Sequence, residues 1–453
     1  MGISLSDVVS ATVTASSASP TVPGFGKTLI LTGKVPVAFP AAPQTYTNLT
    51  GMITAGFLTT DAAYLMAQAA FSASPAPPAI MVGNRANKTI QVIKLKCLSA
   101  VVGDVYKITI ATPAGVSTDI SYTVVSGAAS VQATAIAALI AAVSGFATTA
   151  AVSDTITIVS PSTAGTLNRY KNWTSNFYLT DTSADPGIAA DIATMLTYDN
   201  TWYGFDIDSP SKAEILAAAV TCEAQKKLFT PSSPESTVAD NAVSNDVGSS
   251  VQTSAYHYTG ILYNGNNTAA YSGLEWQSGR FAGSPTPGND TWEYNTLPGT
   301  AIDSLTETQF ATLGNKFVTG YVNIQGVNVT ASGGIANTNS GGKNGFGEFL
   351  DVRRFLDWQI AQIQIGLYIQ LLGPGKTPFT DKGIASLANQ ILGALQRGEQ
   401  AGGLVTGSSV VVTILAANVS TSDRGNRILR NLNWSAQLAG AVHMVVSSGT
   451  VTT

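Results

Sequence analysis

The sequence predicts an α/β (α+β) protein: a mixed sheet covered by helices, with a small strand-strand-helix-strand insertion and an extended arm at each end. Three observations predict it. Short apolar strands alternate with helices between Trp173 and Tyr263, which argues for a mainly parallel or mixed sheet. Between 98 and 166 the pattern changes to period-two alternation around one Ala-rich helix. From Phe346 onward come two apolar-striped helices, a Gly-rich break and an alternating end.

Residues 1–20 read as a Val/Thr/Ser-rich extended arm whose apolar points are Val8, Val9 and Val13. The Pro- and Gly-rich stretch Ser19 to Gly26 parts it from a strand at Thr28 to Thr32, so Pro20, Pro23 and Gly24 are hinge candidates. Residues 21–97 form the first part of the main body. The insertion, 98–166, has strands around Tyr106, Ile108 and Ile110 and around Ile120, Tyr122 and Val124, a helix over Ser130 to Val143, and a strand over Thr155 to Val159. The body resumes over 167–439. Trp202 to Ile207 is a buried-type strand, and Ser211 with Glu214 is the capping box of a helix that turns Ile215, Ala219 and Cys222 to one face. Leu228 to Thr230 and Ala255 to Tyr263 are further strands, with a helical turn around Asp240 to Val247 between them. Gly326 to Gly347, rich in Gly, Asn and Ser, reads as a long mobile loop.

Val352, Leu356, Ile360, Ile363, Leu367 and Leu371 recur at steps of three and four along the first C-terminal helix. In the second, Ile384, Leu387, Ala388, Ile391, Leu392 and Leu395 repeat that period, and Asp381 is placed to cap it. Beyond Gly402 and Gly403, Val410 to Leu415 read as a strand. The last segment, 440–453, reads as a strand arm with Val442, Met444 and Val446 as apolar points and Gly440 and Gly449 as hinge candidates. A terminal strand has open edges, which another chain can complete through main-chain hydrogen bonds.

Composition points to assembly rather than to a charged ligand. Charged residues are 11% of the 453, against about 25% in an average soluble domain, so copies of the chain repel one another weakly. A net charge of -4 leaves no basic footprint for nucleic acid and no polybasic membrane patch. The longest apolar stretch, Ala135 to Val143, is far shorter than the roughly 20 residues that span a bilayer. The N-terminus lacks the basic start and apolar core of a secretion signal, so the chain is expected to stay in the cytoplasm where it is made.

Each catalytic signal is weak on inspection. Pro23 to Thr28 includes Gly24, Gly26, Lys27 and Thr28, but the position five before Gly26 is Thr21, and the stretch precedes a strand rather than opening a helix, so it does not build a phosphate cradle. His257 and His443, the two histidines, have no acid, nucleophile or metal ligand at a telling spacing. Asp206 and Asp208 share one strand face and could hold a cation, but the favoured reading is a solvated strand end followed by the Ser209-Pro210 helix start. Cys97 and Cys222 read as small buried hydrophobes. The sparse acids Glu275, Asp290 and Glu293 show none of the pairing that glycoside hydrolysis needs. No enzyme, cofactor or metal is expected.

A set of short motifs occurs in a telling order: Gly279-Arg280, Pro287-Gly288, Thr291-Trp292, Leu297-Pro298-Gly299, Arg354, Asp357-Trp358, Thr380-Asp381, Gly383, Asp423-Arg424 and Leu438-Ala439-Gly440-Ala441. In order and rough spacing the chain resembles the contractile tail sheath proteins of tailed bacteriophages over Thr253 to Thr453, and more weakly over Tyr64 to Arg85. The resemblance implies a virion protein assembled in the host cytoplasm, which forms stacked six-membered rings around a tail tube. Its partners would be copies of itself, the tail tube protein, and baseplate and tail terminator proteins. Contraction would drive the tube through the host envelope without a fuel site. The 98–166 insertion would be peripheral. The alternatives are a sheath subunit of a bacterial contractile injection system and a polysaccharide-acting surface enzyme.

Overall fold

The first described strand is longer than its apolar run. In the computed structural model β1 is Gly24–Thr32. It begins before the expected Thr28 because Gly24 already lies in register with Trp202 across the sheet, with an irregularity between Gly24 and Thr28. The structure describes residues 24–33, 35–36, 39–85, 90–98, 101–111, 116–143, 148–161, 169–171, 173–181, 187–265, 271–333, 341–373 and 375–443. The chain divides into two units, Gly24–Phe355 with Gly440–Thr453, and Leu356–Ala439 with Met1–Pro23. Each is described by itself.

In the larger unit β1 is followed by β2 (Gln44–Tyr46), α1 (Leu49–Thr54), α2 (Ala62–Ser72) and β3 (Ile80–Asn84). Asn48 starts α1 by accepting the Gly51 amide at 2.8 Å, which satisfies a donor that the first turn leaves free.

The insertion comprises β4 (Ile90–Cys97), β5 (Val105–Ala111), β6 (Ser117–Thr123), α3 (Ala129–Ala141), β7 (Thr148–Val152), β8 (Thr155–Pro161), β9 (Arg169–Lys171) and β10 (Phe177–Asp181). Its sheets run β10-β4-β8-β7 and β6-β5-β9. The expected strand-strand-helix-strand series is present as β5, β6, α3 and β8, but the unit reaches past 98–166 at both ends. β4 pairs antiparallel with β8 and with β10. Ile93, Leu95, Cys97 and Phe177 share one core with Tyr106, Ile108, Ile120, Ile136 and Ile156.

The body resumes with α4 (Ile188–Tyr198), β11 (Trp202–Ile207), α5 (Lys212–Gln225) and β12 (Leu228–Phe229). The main sheet has the order β12-β11-β1-β3-β2 and is parallel except for the edge strand β2. Strands covered on both faces read as unbroken apolar runs, and every residue of β11 is buried. Leu29, Leu31, Phe205 and Ile207 pack with Ile192, Ile215 and Cys222. Ile30, Ile80 and Val82 pack with Met52, Met66 and Leu274. Each such side chain contributes about 1.5–3 kcal/mol by leaving water. The expected capping box of α5 forms only by half. Ser211 accepts the Glu214 amide at 3.3 Å, while the Glu214 carboxylate turns to Arg85 Nη1 at 2.9 Å.

The second sheet of this unit, β13-β14-β15-β16, is built from β13 (Ser232–Ser233), β14 (Leu262–Tyr263), β15 (Thr319–Ile324) and β16 (Val327–Ala331). Its helices are α6 (Val247–Thr253), α7 (Ser272–Gly283) and α8 (Glu307–Asn315). The strand expected over Ala255 to Tyr263 shrinks to β14, and His257 lies before it. The Glu223 carboxylate accepts the amides of His257 and Tyr258 at 2.9 and 3.1 Å, so these groups are not available to a ladder. The loop expected from Gly326 is in part a hairpin. Gln325 (φ 51°) and Gly326 (φ 88°) form a two-residue turn with positive φ at both positions, which matches the twist of paired strands. Residues 334–340 lie outside the described residues.

α9 (Leu350–Leu372) starts in the larger unit, and the division falls inside it. In the smaller unit α10 (Asp381–Gln400), β17 (Val410–Val412), α11 (Thr421–Gly425) and β18 (Asn433–Ser435) follow. Trp358, Ala361 and Ile363 of α9 are buried, as are Ile384, Ala388, Ile391 and Leu395 of α10. Ile360 and Leu371, expected on the packed stripe, are 44% and 60% exposed. The cap of α10 is Thr380, which accepts the Gly383 amide at 3.2 Å. Asp381 instead accepts the Ala416 amide at 2.6 Å and so ties the β17–α11 connection to the helix start. Among the described residues no helix is long and apolar enough to cross a membrane.

Candidate assembly surfaces

β17 and β18 form a two-stranded antiparallel ribbon with Val411 opposite Trp434. A ribbon of two strands is marginal in water, and no third strand joins it among the described residues. Val410, Val412 and Trp434 are 51%, 58% and 41% exposed, so the ribbon presents apolar groups beside open main-chain edges. Its approach is fixed by Glu399, whose carboxylate accepts the Gly407 and Ser409 amides at 3.0 and 3.2 Å. Hydrogen bonds from Ser409, with that from Gly407, hold this carboxyl below the usual range. In the same unit a groove of about 890 Å³ is lined by Ile363, Leu367, Leu371, Leu387, Ile391 and Trp434, with Lys376, Arg424 and Arg427 also on its wall.

In the larger unit the segment Gly440–His443 is fastened to the stretch 291–294. His443 Nε2 is 2.7 Å from Thr291 Oγ1, and Nδ1 is 2.9 Å from Glu293 Oε2. The Tyr294 hydroxyl donates to the His443 carbonyl at 2.8 Å. The ring also meets Phe349 edge-on at 4.9 Å. The side chains of His443 and Glu293 are 10% and 2% exposed. Burial pushes the Glu293 carboxyl up to about 7, against the pull of the Gly341 amide and Lys343. Burial, with Lys343, pushes the His443 ring below its ordinary value. Hydroxyl, imidazole and carboxylate stand in the order of an activated nucleophile. Thr291 Oγ1 also accepts the Glu293 amide at 3.4 Å. What the cluster visibly holds is the main chain of the C-terminal segment.

No family model matches the chain, and no curated protein matches it. Solved structures do. A chain of the contracted anti-feeding prophage baseplate superposes with a TM-score of 0.52 at 10% identity, over 99% of each chain. The chain shares the fold of that baseplate subunit. Two further similar chains are the sheath tail protein of Listeria innocua (TM-score 0.42, 12% identity, 85% of this chain and 88% of that one) and a chain of the six-fold symmetrised anti-feeding prophage baseplate (TM-score 0.43, 14% identity, 58% and 73%).

Against this fold the sequence-predicted residues fall as follows. Val8, Val9, Val13, Pro20, Pro23, Met444, Val446 and Gly449 lie outside the described residues. Gly24 is the first residue of β1 rather than part of a linker, its amide donating to the Thr201 carbonyl. Gly440 has φ 61°, and Val442 is 78% exposed without belonging to a strand. Of the Pro23 to Thr28 stretch, Gly24 to Thr28 belong to β1, where Thr28 donates to Gln277 Oε1 at 3.0 Å. Asp208 accepts Thr32 Oγ1 and the Gly33 amide, both at 2.9 Å, and Asp206 accepts the Ile207 amide at 2.8 Å. Among the described residues no group of three or more His, Cys, Asp or Glu could hold a metal ion. Cys97 and Cys222 are buried and free, with burial pushing the Cys97 thiol up to about 12.

Both histidines have acidic neighbours that spacing did not reveal. His257 Nδ1 is 3.4 Å from Glu348 Oε2, and its ring stacks on Phe346 at 4.1 Å. Glu275 is wholly buried and accepts the Gly299 amide and the Thr300 hydroxyl, each at 2.7 Å, so it pins the Leu297-Pro298-Gly299 turn to α7. Asp290 pairs with Arg354. The three acids weighed for glycoside hydrolysis thus have separate structural partners.

Proposed function

We propose that the chain is a structural subunit of a contractile sheath, of the kind found in phage tails and in prophage-derived injection particles. The single observation that carries this reading is the shared fold with a chain of the contracted anti-feeding prophage baseplate over 99% of both lengths. The collinear motifs from Gly279 to Ala441 point the same way, and a surface poor in charge suits self-association. On this reading copies form stacked six-membered rings around a tube and meet baseplate and terminator proteins. The N- and C-terminal segments are exchanged between subunits as added strands, and the β17–β18 ribbon, with its open edges, is the acceptor. Each main-chain bond added there contributes about 1 kcal/mol net, so several together hold subunits while their bodies pivot. Contraction releases free energy stored in a kinetically trapped assembly and needs no bound fuel.

Electron microscopy of the purified chain tests this. Tubes or stacked rings are expected, and deletion of 444–453 is expected to leave a folded subunit that forms neither. Discrete small oligomers from the full chain, or normal tubes from the truncated one, would overturn the sheath reading and the strand-exchange reading respectively.

A further inference from the structure

We propose that His443 is a proton-operated plug: with Glu293 protonated beside its ring, the Gly440–His443 segment docks on the larger unit, and loss of that proton loosens it. The geometry is that of a socket. The ring has a hydroxyl at one nitrogen and a buried carboxylate at the other, 2.7 and 2.9 Å away. Phe349 closes one side at 4.9 Å, and Tyr294 fixes the carbonyl of the same residue. Nothing comparable fastens Val442, which is 78% exposed.

The ionisable groups around the ring come from two stretches of chain. Glu293 and Tyr294 belong to the 291–294 stretch. Lys343, on the stretch that leads into α9, stands 5.3 Å from the centre of the Phe349 ring and lowers the proton affinity of both His443 and Glu293. Glu348, next to Phe349, is turned toward His257 and Arg353, at 3.4 and 3.6 Å. With Lys343 nearby, a second proton on the pair leaves an imidazolium without a counter-charge, whereas no proton leaves a carboxylate shut away from water.

The direction of the pH dependence follows. Undocking returns Glu293 to solvent and to an ordinary carboxyl's 4.5, whereas docked it sits at about 7, so docking takes up a proton between those values. That contribution is full in acid and is lost as the pH rises through 7. His443 works in the opposite sense, because docking disfavours its charged form, and this opposition fades over about the pH unit above its ordinary 6.5. Between pH 6.5 and 8 Glu293 weakens docking nearly fourfold and His443 offsets at most about twofold of that, so the net weakening is about two- to fourfold.

That a loosened segment serves assembly rests on the function proposed above; the plug does not, so the test uses the unassembled full chain. The sequence has two histidines, so histidine-labelled protein gives a readable NMR titration. The His443 signal should show a step near pH 7. Amide protection at 441–443, corrected for intrinsic exchange, should fall about two- to fourfold between pH 6.5 and 8. Glu293→Gln, neutral at every pH, should abolish both the step and the fall. Constant protection in the wild type, or an unchanged fall in E293Q, would overturn the plug. If E293Q does not fold, the wild-type titration decides: a single step with no shift near pH 7 would overturn it. Normal plug behaviour in a chain that never assembles would count against the sheath reading and leave the plug standing.

Discussion

Arg354 Nη1 lies 3.2 Å from Asp290 Oδ2, and the arginine side chain is completely shut off from solvent. Its other donors reach the Phe25 carbonyl at 2.9 and 3.2 Å and the Ser284 carbonyl at 2.7 Å, while the guanidinium lies 4.4 Å from the centre of the Phe281 ring. One side chain thereby joins the start of β1, the end of α7 and the first turns of α9. Arg354→Met should cost about 3–5 kcal/mol, because it strands a buried carboxylate and two carbonyls. Arg354→Lys should recover only part, since an ammonium cannot span the same acceptors. Urea denaturation at pH 7 measures this. A loss below about 1 kcal/mol would show the cluster to be dispensable.

Asp206 gives a pH prediction. Burial raises its carboxyl well above the usual range, the neighbouring Asp208 adds to the rise, and its Oδ2 has no hydrogen-bond partner. For a carboxyl raised in the folded state, the stabilising contribution is present in acid and is lost as the pH climbs from the unfolded value, 3.8, through the folded one. Asp206→Asn should therefore gain on the wild type as the pH rises, by about 1.4 kcal/mol per pH unit inside that window. Chemical denaturation of both proteins at several pH values checks it, and parallel curves would refute it.

The extent of the insertion is testable by two excisions. Removing 90–181 and bridging the gap with a short Gly/Ser linker should leave a folded body, because Ile93 and Asp181 are directly opposite across β4 and β10, so the chain enters and leaves this unit on neighbouring strands. Removing 98–166 instead should give an unstable, aggregating chain, since Ile93, Leu95, Cys97 and Phe177 lose the core they are buried in. Circular dichroism and sedimentation distinguish the two. Equal behaviour would place the boundary elsewhere.

Leu387 lines the groove of the smaller unit and is only partly buried. Leu387→Glu should change subunit stability by about 1 kcal/mol or less, because the new carboxylate can reach water. If the groove is covered on assembly, the same change should abolish tubes in the microscope. Normal tubes from the variant would remove the groove from the assembly surface.

Local patterns were legible wherever one element decides its own state. The buried run of β11, the alternation of β5 and β6 and the period of α10 each follow from which side chains avoid water, and adjacent residues carry that signal. Acidity of single positions, the scarcity of charge and the motif order from Gly279 to Ala441 were legible too. Pairings between distant residues were not. β4 reads as part of the body until β8 and β10 flank it, and Ile360 fits the helical period of α9 yet faces outward. Asp381 looks like a cap, but Thr380 takes that place. Above all, Thr291 and Glu293 lie about 150 positions from His443, and no periodicity links them. Backbone propensity and burial act over a few residues, so the sequence states them directly. Which carboxylate meets which ring depends on how whole elements stack, and only the tertiary structure decides that.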